Sequence, residues 1–432
     1  MRTSRILGAA CLAVSLSSLA AGPVGARVTA KGPLAWREAF QSSPVGTDFN
    51  TDADFDAFAQ RLHIPPPIVA KIRPRHVQGT LRYRLMVSAG GSQLQIRISN
   101  ELGKAPLRLA HVSVGLAGAE FEAVRNSIRP VTFGGSPDIV IAPATPALSD
   151  PIDLPVAAGG SLLISLNTPD DFVVGGGGGG APAAIAPGDQ TSAEKLASAD
   201  AVGARPLVSA ISVRSPISTK VVVALGDSIT DGNRPQIGAL HAWPEELARR
   251  FAASGTSVHA VANAGISGNL VLRPAMVQEM GVSALARLDR DVLRIDGLTH
   301  IIVLEGTNDI GMSGPSPVGN NPRLTSGELI AGYRQILARA HARGVRVVFG
   351  TITPAGGSMS HSSPEKDALR KAVNQWIRTS GEPDGIVDFD AATRDPANPD
   401  KLLPAFDSGD HLHPNEAGQK AMGDAVDLAL FN

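Results

Sequence analysis

Near the middle of the chain, Gly226-Asp227-Ser228-Ile229-Thr230-Asp231-Gly232 closes an apolar run. Near its end, Asp407-Ser408-Gly409-Asp410-His411-Leu412-His413-Pro414 gathers carboxylates and imidazoles. A serine hydroxyl is a weak nucleophile until a base takes its proton, and an imidazole steered by a carboxylate is a suitable base. Asp410 and His413 stand three residues apart, so one turn of chain can set the carboxylate on one ring nitrogen and leave the other for Ser228 Oγ. Their neighbours compete for the same roles. Asp407-x5-His413 is a looser fit, and His411 adjoins Asp410 too closely for easy side-chain alignment. Taken alone, Gly226-Asp227-Ser228 is also what a helix cap looks like.

Two further polar loops bear on the same chemistry. In Asn263-Ala264-Gly265-Ile266-Ser267-Gly268-Asn269 the glycines can serve a turn, or let a backbone N–H approach a reacting oxygen. In Glu305-Gly306-Thr307-Asn308-Asp309 the Asn308 amide is a neutral donor suited to an oxyanion, and equally an ordinary turn residue. Each loop is a weak signal alone; together they could supply a nucleophile, a base with its orienter, and donors for an oxyanion.

The elements that must position them follow from hydrophobic period. Lys220–Leu225 is a nearly continuous β-branched apolar run, as in a strand covered on both faces. Helix Glu245–Ala253, strand Val258–Asn263, strand His300–Leu304, a helix opened by the capping box Thr325-Ser326-Gly327-Glu328 and ending at Gly344, and strand Val345–Thr351 follow in turn. A helix from Ser363-Pro364 to Gly381, strand Ile386–Phe389 and helix Pro414–Leu430 complete the series. Alternating strands and helices predict a parallel sheet with helices on both faces, and ligands bind at the carboxyl ends of such strands. The loops after Leu225, Asn263 and Leu304 therefore share one rim. Between Leu81 and Asn167 the period is two: Leu94, Ile96 and Ile98 alternate with Gln95, Arg97 and Ser99, and Leu162, Ile164 and Leu166 with Leu163 and Ser165. Glycine pairs at 90–91, 134–135 and 159–160 punctuate these runs, which predicts an antiparallel sandwich or jelly roll. A helix is expected over Asp52–Leu62 before the break at Pro65-Pro66-Pro67, and a surface loop over Gly175–Gly180.

Gly226-Asp227-Ser228-Ile229, the Gly268 loop, Gly306-Thr307-Asn308-Asp309 and Asp410-x-x-His413 resemble, in that order, the blocks of the SGNH (GDSL) hydrolase family, over roughly the last half of the chain. The resemblance implies a flavodoxin-like sheet and makes Ser228 the nucleophile, His413 the base and Asp410 its orienter. It also implies the Ser228 N–H, the Gly268 N–H and the Asn308 side chain as oxyanion donors; Gly268 is preferred to Gly265 because it stands between Ser267 and Asn269. No cofactor or metal is implied. Arg97-Ile98-Ser99-Asn100 and Val131-Thr132-Phe133-Gly134-Gly135 resemble the β-sandwich domain that precedes some members.

The chain of 432 residues has a formal net charge of −1, which offers nothing to nucleic acid or an anionic membrane surface. Arg2 and Arg5, the apolar stretch from Ile6 to about Ala21, and Val24-Gly25-Ala26 predict a cleaved signal peptide over 1–26, too short and serine-interrupted for a membrane anchor. Cys11, the single cysteine, falls inside it, so the mature chain is expected to have no thiol and no transmembrane segment. The expected organisation is a sandwich domain with a lead-in segment over 27–215 and a catalytic domain over 216–432. The expected function is a secreted or periplasmic serine esterase acting on small-molecule or polysaccharide esters, with acetyl the leading acyl group. A lysophospholipase or short-chain lipase activity is the alternative, in which Leu270, Val271, Leu272 and Met276 could line an acyl site; a helix packed on the sheet is the simpler use for them. A metal-dependent hydrolase built on Asp227, Asp231, Asp309, Asp410, His411 and His413 would leave Ser228 and Gly268 idle. A sandwich that merely docks on polysaccharide would leave every catalytic position idle. Thr230 stands where the α/β-hydrolase elbow needs glycine, and Trp243 beside Pro244 is expected to pack at a helix start.

Overall fold

A computed structural model describes residues 32–49, 51–61, 69, 73–175, 181–232, 241–255, 259–316 and 319–432. The segment read as a signal peptide, the prolines at 65–67 and the glycines at 176–180 lie outside the described residues.

The first half forms antiparallel sheets. One has the order Leu34–Gln41, Val208–Pro216, Leu94–Asn100, Thr145–Leu148; the other runs Asp200–Ala204, Ala181–Ala186, Arg75–Met86, Ser161–Val174, His111–Leu116, Arg129–Val131. Leu94, Ile96 and Ile98 are wholly buried while Gln95, Arg97 and Ser99 are half-buried, as a strand with one core-facing side requires. Strand Ser161–Val174 departs from that expectation, for Leu163 and Ser165 are as buried as Leu162 and Ile164. The outer face there is roofed by chain around residues 190–194. Buried Arg82 fills that roof, with Nε donating to Ser165 Oγ at 2.8 Å and its terminal nitrogens to the carbonyls of Phe121, Gln190, Ala193 and Glu194. The alternation thus separates an apolar covered face from a polar covered one.

The second half is a parallel sheet of order His259–Gly265, Lys220–Gly226, Leu298–Leu304, Arg346–Gly350, Gly385–Val387. That is the doubly wound, flavodoxin-like order 2-1-3-4-5. Val221, Val223 and Leu225 enter one apolar cluster and Val222 and Ala224 another, so the central strand is covered on both faces as its composition predicts. Helix Trp243–Ser254 has Pro244 in its first turn and Gly255 at φ 64° past its end. Helix Ser326–His341 opens on the Thr325/Glu328 capping box, and Pro364–Thr379 on Ser363. Trp243 is fully buried against Phe389, ring centroids 5.2 Å apart.

Sequence expectation and structure differ at three places in this half. The last strand stops at Val387 because Asp388 accepts the Ala391 N–H and caps a short helix, Phe389–Thr393, which carries Phe389 into the core. The closing helix is Glu416–Ala425. Val426 is extended and a 3₁₀ turn, Leu428–Phe431, sets the Phe431 ring against His300 and Phe251 at 5.1 and 5.4 Å. Leu270–Leu272 is loop rather than helix, since the Val271 and Leu272 N–H groups donate to the Asp309 carboxylate instead of to a preceding turn.

The halves are joined by more than chain. An apolar cluster runs without a break from Leu81 and Ile96 to Val221 and Ile301. Edge strand His259–Gly265 would present unpaired amides; here Val261 N–H donates to Ser88 Oγ at 2.9 Å, and the Ser88 hydroxyl passes the bond to Ala39 O at 2.8 Å. Among the described residues no helix is long and apolar enough to cross a membrane.

Candidate active site

Gly226 pairs with Gly265 on one side and Leu304 on the other, so these three strands end level and their loops emerge on one rim. The order reverses between the Ser228 strand and the Asn308 strand, which is the switch point where such sheets place ligands. Ser228 opens the helix Ser228–Asp231. The capping role belongs to Asp227: its Oδ1 takes the Ile229 N–H at 2.9 Å, and its carbonyl takes those of Thr230 and Asp231. The Ser228 hydroxyl is thereby left for other work.

It lies 2.8 Å from His413 Nε2. The opposite ring nitrogen, Nδ1–H, donates to Asp410 Oδ2 at 2.6 Å, so the Ser228-facing nitrogen is the acceptor. Asp410 Oδ1 is fixed in turn by the N–H groups of Leu412 and His413 at 3.0 and 2.8 Å and by the Ser408 hydroxyl. Burial alone would raise the Asp410 carboxyl. The His413 hydrogen bond, the imidazole's charge and those backbone donors overcome it and hold the group well below the usual carboxylate range. Asp407 is bonded elsewhere: it accepts from His411 Nδ1 at 2.5 Å and from the Gly409 and His411 N–H groups. His411 pays for this turn with φ 61°, a left-handed conformation that costs a non-glycine residue about 1–2 kcal/mol. Of the competing pairs, Asp410–His413 is the one that reaches Ser228.

In the second loop the Gly265 N–H is consumed by Asn263 Oδ1 at 3.0 Å. Gly268, at φ 81°, has an N–H with no protein partner among the described residues. This loop is anchored by Asp231, whose Oδ2 accepts both the N–H and the hydroxyl of Ser267 at 3.0 Å. Asp231 is in turn neutralised by Arg205, from the antiparallel half. Arg205 also donates through Nη2 to Gly265 O and Ser43 O. Fully buried Arg287 caps the strand ends from below, donating to Gly226 O and Ala264 O and holding Asn269 Oδ1.

In the third loop Gly306 takes φ 108° and starts the helix Thr307–Gly311, which carries Asn308. Asn308 Nδ2 donates to Asn269 O at 3.0 Å, and its Oδ1 lies 3.2 Å from His361 Nε2. Beneath the rim, burial raises the carboxyl groups of Asp227, Glu305 and Asp309. The six residues that might have ringed a metal are engaged otherwise: Asp227 accepts the Ile229 N–H, Asp231 pairs with Arg205, Asp309 accepts from Val271 and Leu272, Asp410 and His413 bond each other, and His411 bonds Asp407. Among the described residues no three His, Asp or Glu side chains converge as a metal site needs.

The structure therefore brings Ser228, His413 and Asp410 into contact, and carries Gly268 and Asn308 on neighbouring rim loops. Such a site can transfer a proton from a hydroxyl and has N–H donors to spare for a developing negative charge. Arg205, Arg287 and His361 escape sequence reasoning. The arginines look like any surface cation, and His361 sits in an irregular loop with no spacing to mark it.

Residues 224–421 match the model of the GDSL-like Lipase/Acylhydrolase family. No curated protein matched the chain. Among solved structures, an acetyl xylan esterase from Geobacillus stearothermophilus is 22% identical over 48% of this chain and 93% of that one, with a TM-score of 0.36. A GDSL-like lipase from Bacteroides thetaiotaomicron VPI-5482 is 17% identical over 49% of this chain and 87% of that one, with a TM-score of 0.34. Residues 224–421 of this chain thus form a GDSL-like lipase/acylhydrolase domain.

Proposed function

We propose that the protein is a serine esterase that cleaves carboxylic esters through an acyl-enzyme on Ser228. The observation that carries this reading is the continuous bond from Ser228 Oγ through His413 to Asp410, at 2.8 and 2.6 Å. His413 Nε2 takes the hydroxyl proton as Oγ attacks the ester carbonyl, and Asp410 supports the imidazolium that forms. The tetrahedral oxyanion is received by the Ser228 N–H, the Gly268 N–H and the Asn308 amide. The free state of the Gly268 N–H, against the occupied Gly265 N–H, supports this choice. His413 then gives its proton to the leaving alcohol, the acyl group stays on Oγ, and water attacks by the same route to release the acid.

The substrate class in this reading is short-acyl, chiefly acetyl, esters of carbohydrate, outside the cytoplasm. Its supports are the sandwich joined to the catalytic sheet and the basic-then-apolar residues 2–21 that precede it. The decisive measurement is turnover of p-nitrophenyl esters of rising chain length beside acetate release from acetylated xylan. The reading expects the acetyl ester to be fastest, acetate to be released, and Ser228→Ala to abolish both. Rates that climb with chain length would replace the carbohydrate reading with the lipase-type one. Full activity of Ser228→Ala would end the serine reading altogether.

A further inference from the structure

An asparagine serves an oxyanion only if its nitrogen, and not its oxygen, faces the reacting carbonyl. At Asn308 two contacts bear on that choice. The Asn269 carbonyl accepts Nδ2 at 3.0 Å, and a carbonyl can take only a donor, so this end of the amide is the NH₂ with one hydrogen spent. Oδ1 therefore faces His361 Nε2 at 3.2 Å, and that nitrogen must carry the ring proton. His361 Nδ1 is then an acceptor, matched by the Ser360 hydroxyl 2.7 Å away. The bonds run one way, from Ser360 through His361 to Asn308.

The surroundings are shaped for this ring. A Cβ on Gly311 would stand 1.9 Å from His361 Cδ2, so the helix bearing Asn308 has a glycine where the imidazole presses on it. Lys366 Nζ ties the same pieces together, donating to Gly311 O and Ser360 O at 2.6 and 2.7 Å. Burial, with the charges of His413 and Lys366 adding to it, lowers His361 to about 3. The ring thus stays neutral with a single N–H, the form the relay needs.

We infer that His361 is a positioning residue for the oxyanion site: its Nε2–H holds the Asn308 amide with nitrogen outward, so that the remaining Nδ2 hydrogen is presented to the oxyanion formed on the Ser228 adduct. This rests on the serine-esterase reading above. Polarisation along the relay also strengthens the donor at its end. The Asn269 carbonyl still opposes a flipped amide when His361 is gone, so the effect is smaller than deleting the donor.

The test is kcat and KM on p-nitrophenyl acetate in a double-mutant cycle. His361→Phe keeps a ring against Gly311 but has no donor; it should lower kcat about 10-fold, short of the 10²–10³ expected for Asn308→Ala, with KM nearly unchanged. His361→Gln, whose amide can donate, should recover most of that loss. In the Asn308→Ala background, His361→Phe should change kcat by less than about 2-fold, because no amide remains to orient. Ser360→Ala, which frees His361 to take the other tautomer, should lower kcat severalfold and decides the matter if His361→Phe fails to fold. Equal kcat in His361→Phe and the parent, or the same loss in both backgrounds, overturns the inference. Neither result touches the serine reading, which stands or falls on Ser228→Ala.

Discussion

Arg205 Nη1 lies 2.9 Å from both carboxylate oxygens of Asp231, in the helix that Ser228 opens, and both side chains are almost wholly buried, at 7% and 5% exposure. A residue of the antiparallel half thus neutralises the carboxylate that anchors the Ser267–Gly268 loop. Arg205→Met should deprive buried Asp231 of this ion pair, a cost of about 3–5 kcal/mol by urea denaturation. Adding Asp231→Asn, which removes the buried charge but keeps an acceptor for Ser267, should return part of that stability. A single variant that unfolds at the parent's urea concentration would show the ion pair to be dispensable.

The pH dependence of turnover should report one proton. Asp410 is held ionised well below the usual carboxylate range, so the carboxylate of the relay adds no step of its own on the acid side. The logarithm of kcat/KM should therefore fall with unit slope as pH is lowered. Asp410→Asn keeps the shape but loses the charge that fixes the tautomer, and kcat should drop on the order of 10³–10⁴-fold. A slope of two, or an active Asp410→Asn protein, would contradict this picture.

Gly268 and Gly265 should respond differently to alanine. At Gly268 the φ is 81° and a Cβ would meet Met280 Cγ at 2.6 Å, a flexible neighbour. Gly268→Ala should fold with a penalty of about 1–2 kcal/mol and lose kcat as its N–H shifts. At Gly265 the Cβ would meet the Asp231 backbone nitrogen at 2.3 Å, which cannot give way. Gly265→Ala should fail chiefly in stability, visible as a lower melting temperature or insoluble product. Parent-like kcat in a folded Gly268→Ala protein would remove that N–H from the oxyanion site.

Glu38 should make the protein less stable as pH rises. It lies 3.8 Å from Arg97, and burial raises its carboxyl from 4.5 to about 7 against the pull of Arg97 and Arg294. Between those values the folded state holds a proton that the unfolded chain has released. Its contribution is therefore fully present below 4.5 and is lost as pH climbs through 7, at about 1.4 kcal/mol per unit. Glu38→Gln, neutral throughout, should gain on the parent by on the order of 3 kcal/mol between pH 4 and pH 8 in paired denaturation curves. Parallel curves would mean that Glu38 titrates alike in both states.

What could be read from the chain was whatever short spacing or period encodes. Asp410 and His413 are bonded to each other across three residues, and the β-branched run Lys220–Leu225 marks a strand covered on both faces without knowledge of its neighbours. Trp243 beside Pro244 is at a helix start for the same local reason. What could not be read depends on residues distant in sequence. Arg205 finds Asp231, Arg82 finds a roof of carbonyls, and His361 finds Asn308 only after the halves and loops have packed. The end of the last strand at Val387 was missed for a smaller cause, since Asp388 fits a strand's end and a helix's cap equally well.

The apolar cluster that passes from Leu81 and Ile96 to Val221 and Ile301 has a consequence for cooperativity. Where two modules have separate cores, each can melt alone and calorimetry shows two peaks. Here neither half can open without exposing the other's buried surface and the edge amide held by Ser88. Heating should therefore give one endotherm, and a fragment that begins at strand Lys220–Gly226 should arrive already half unmade.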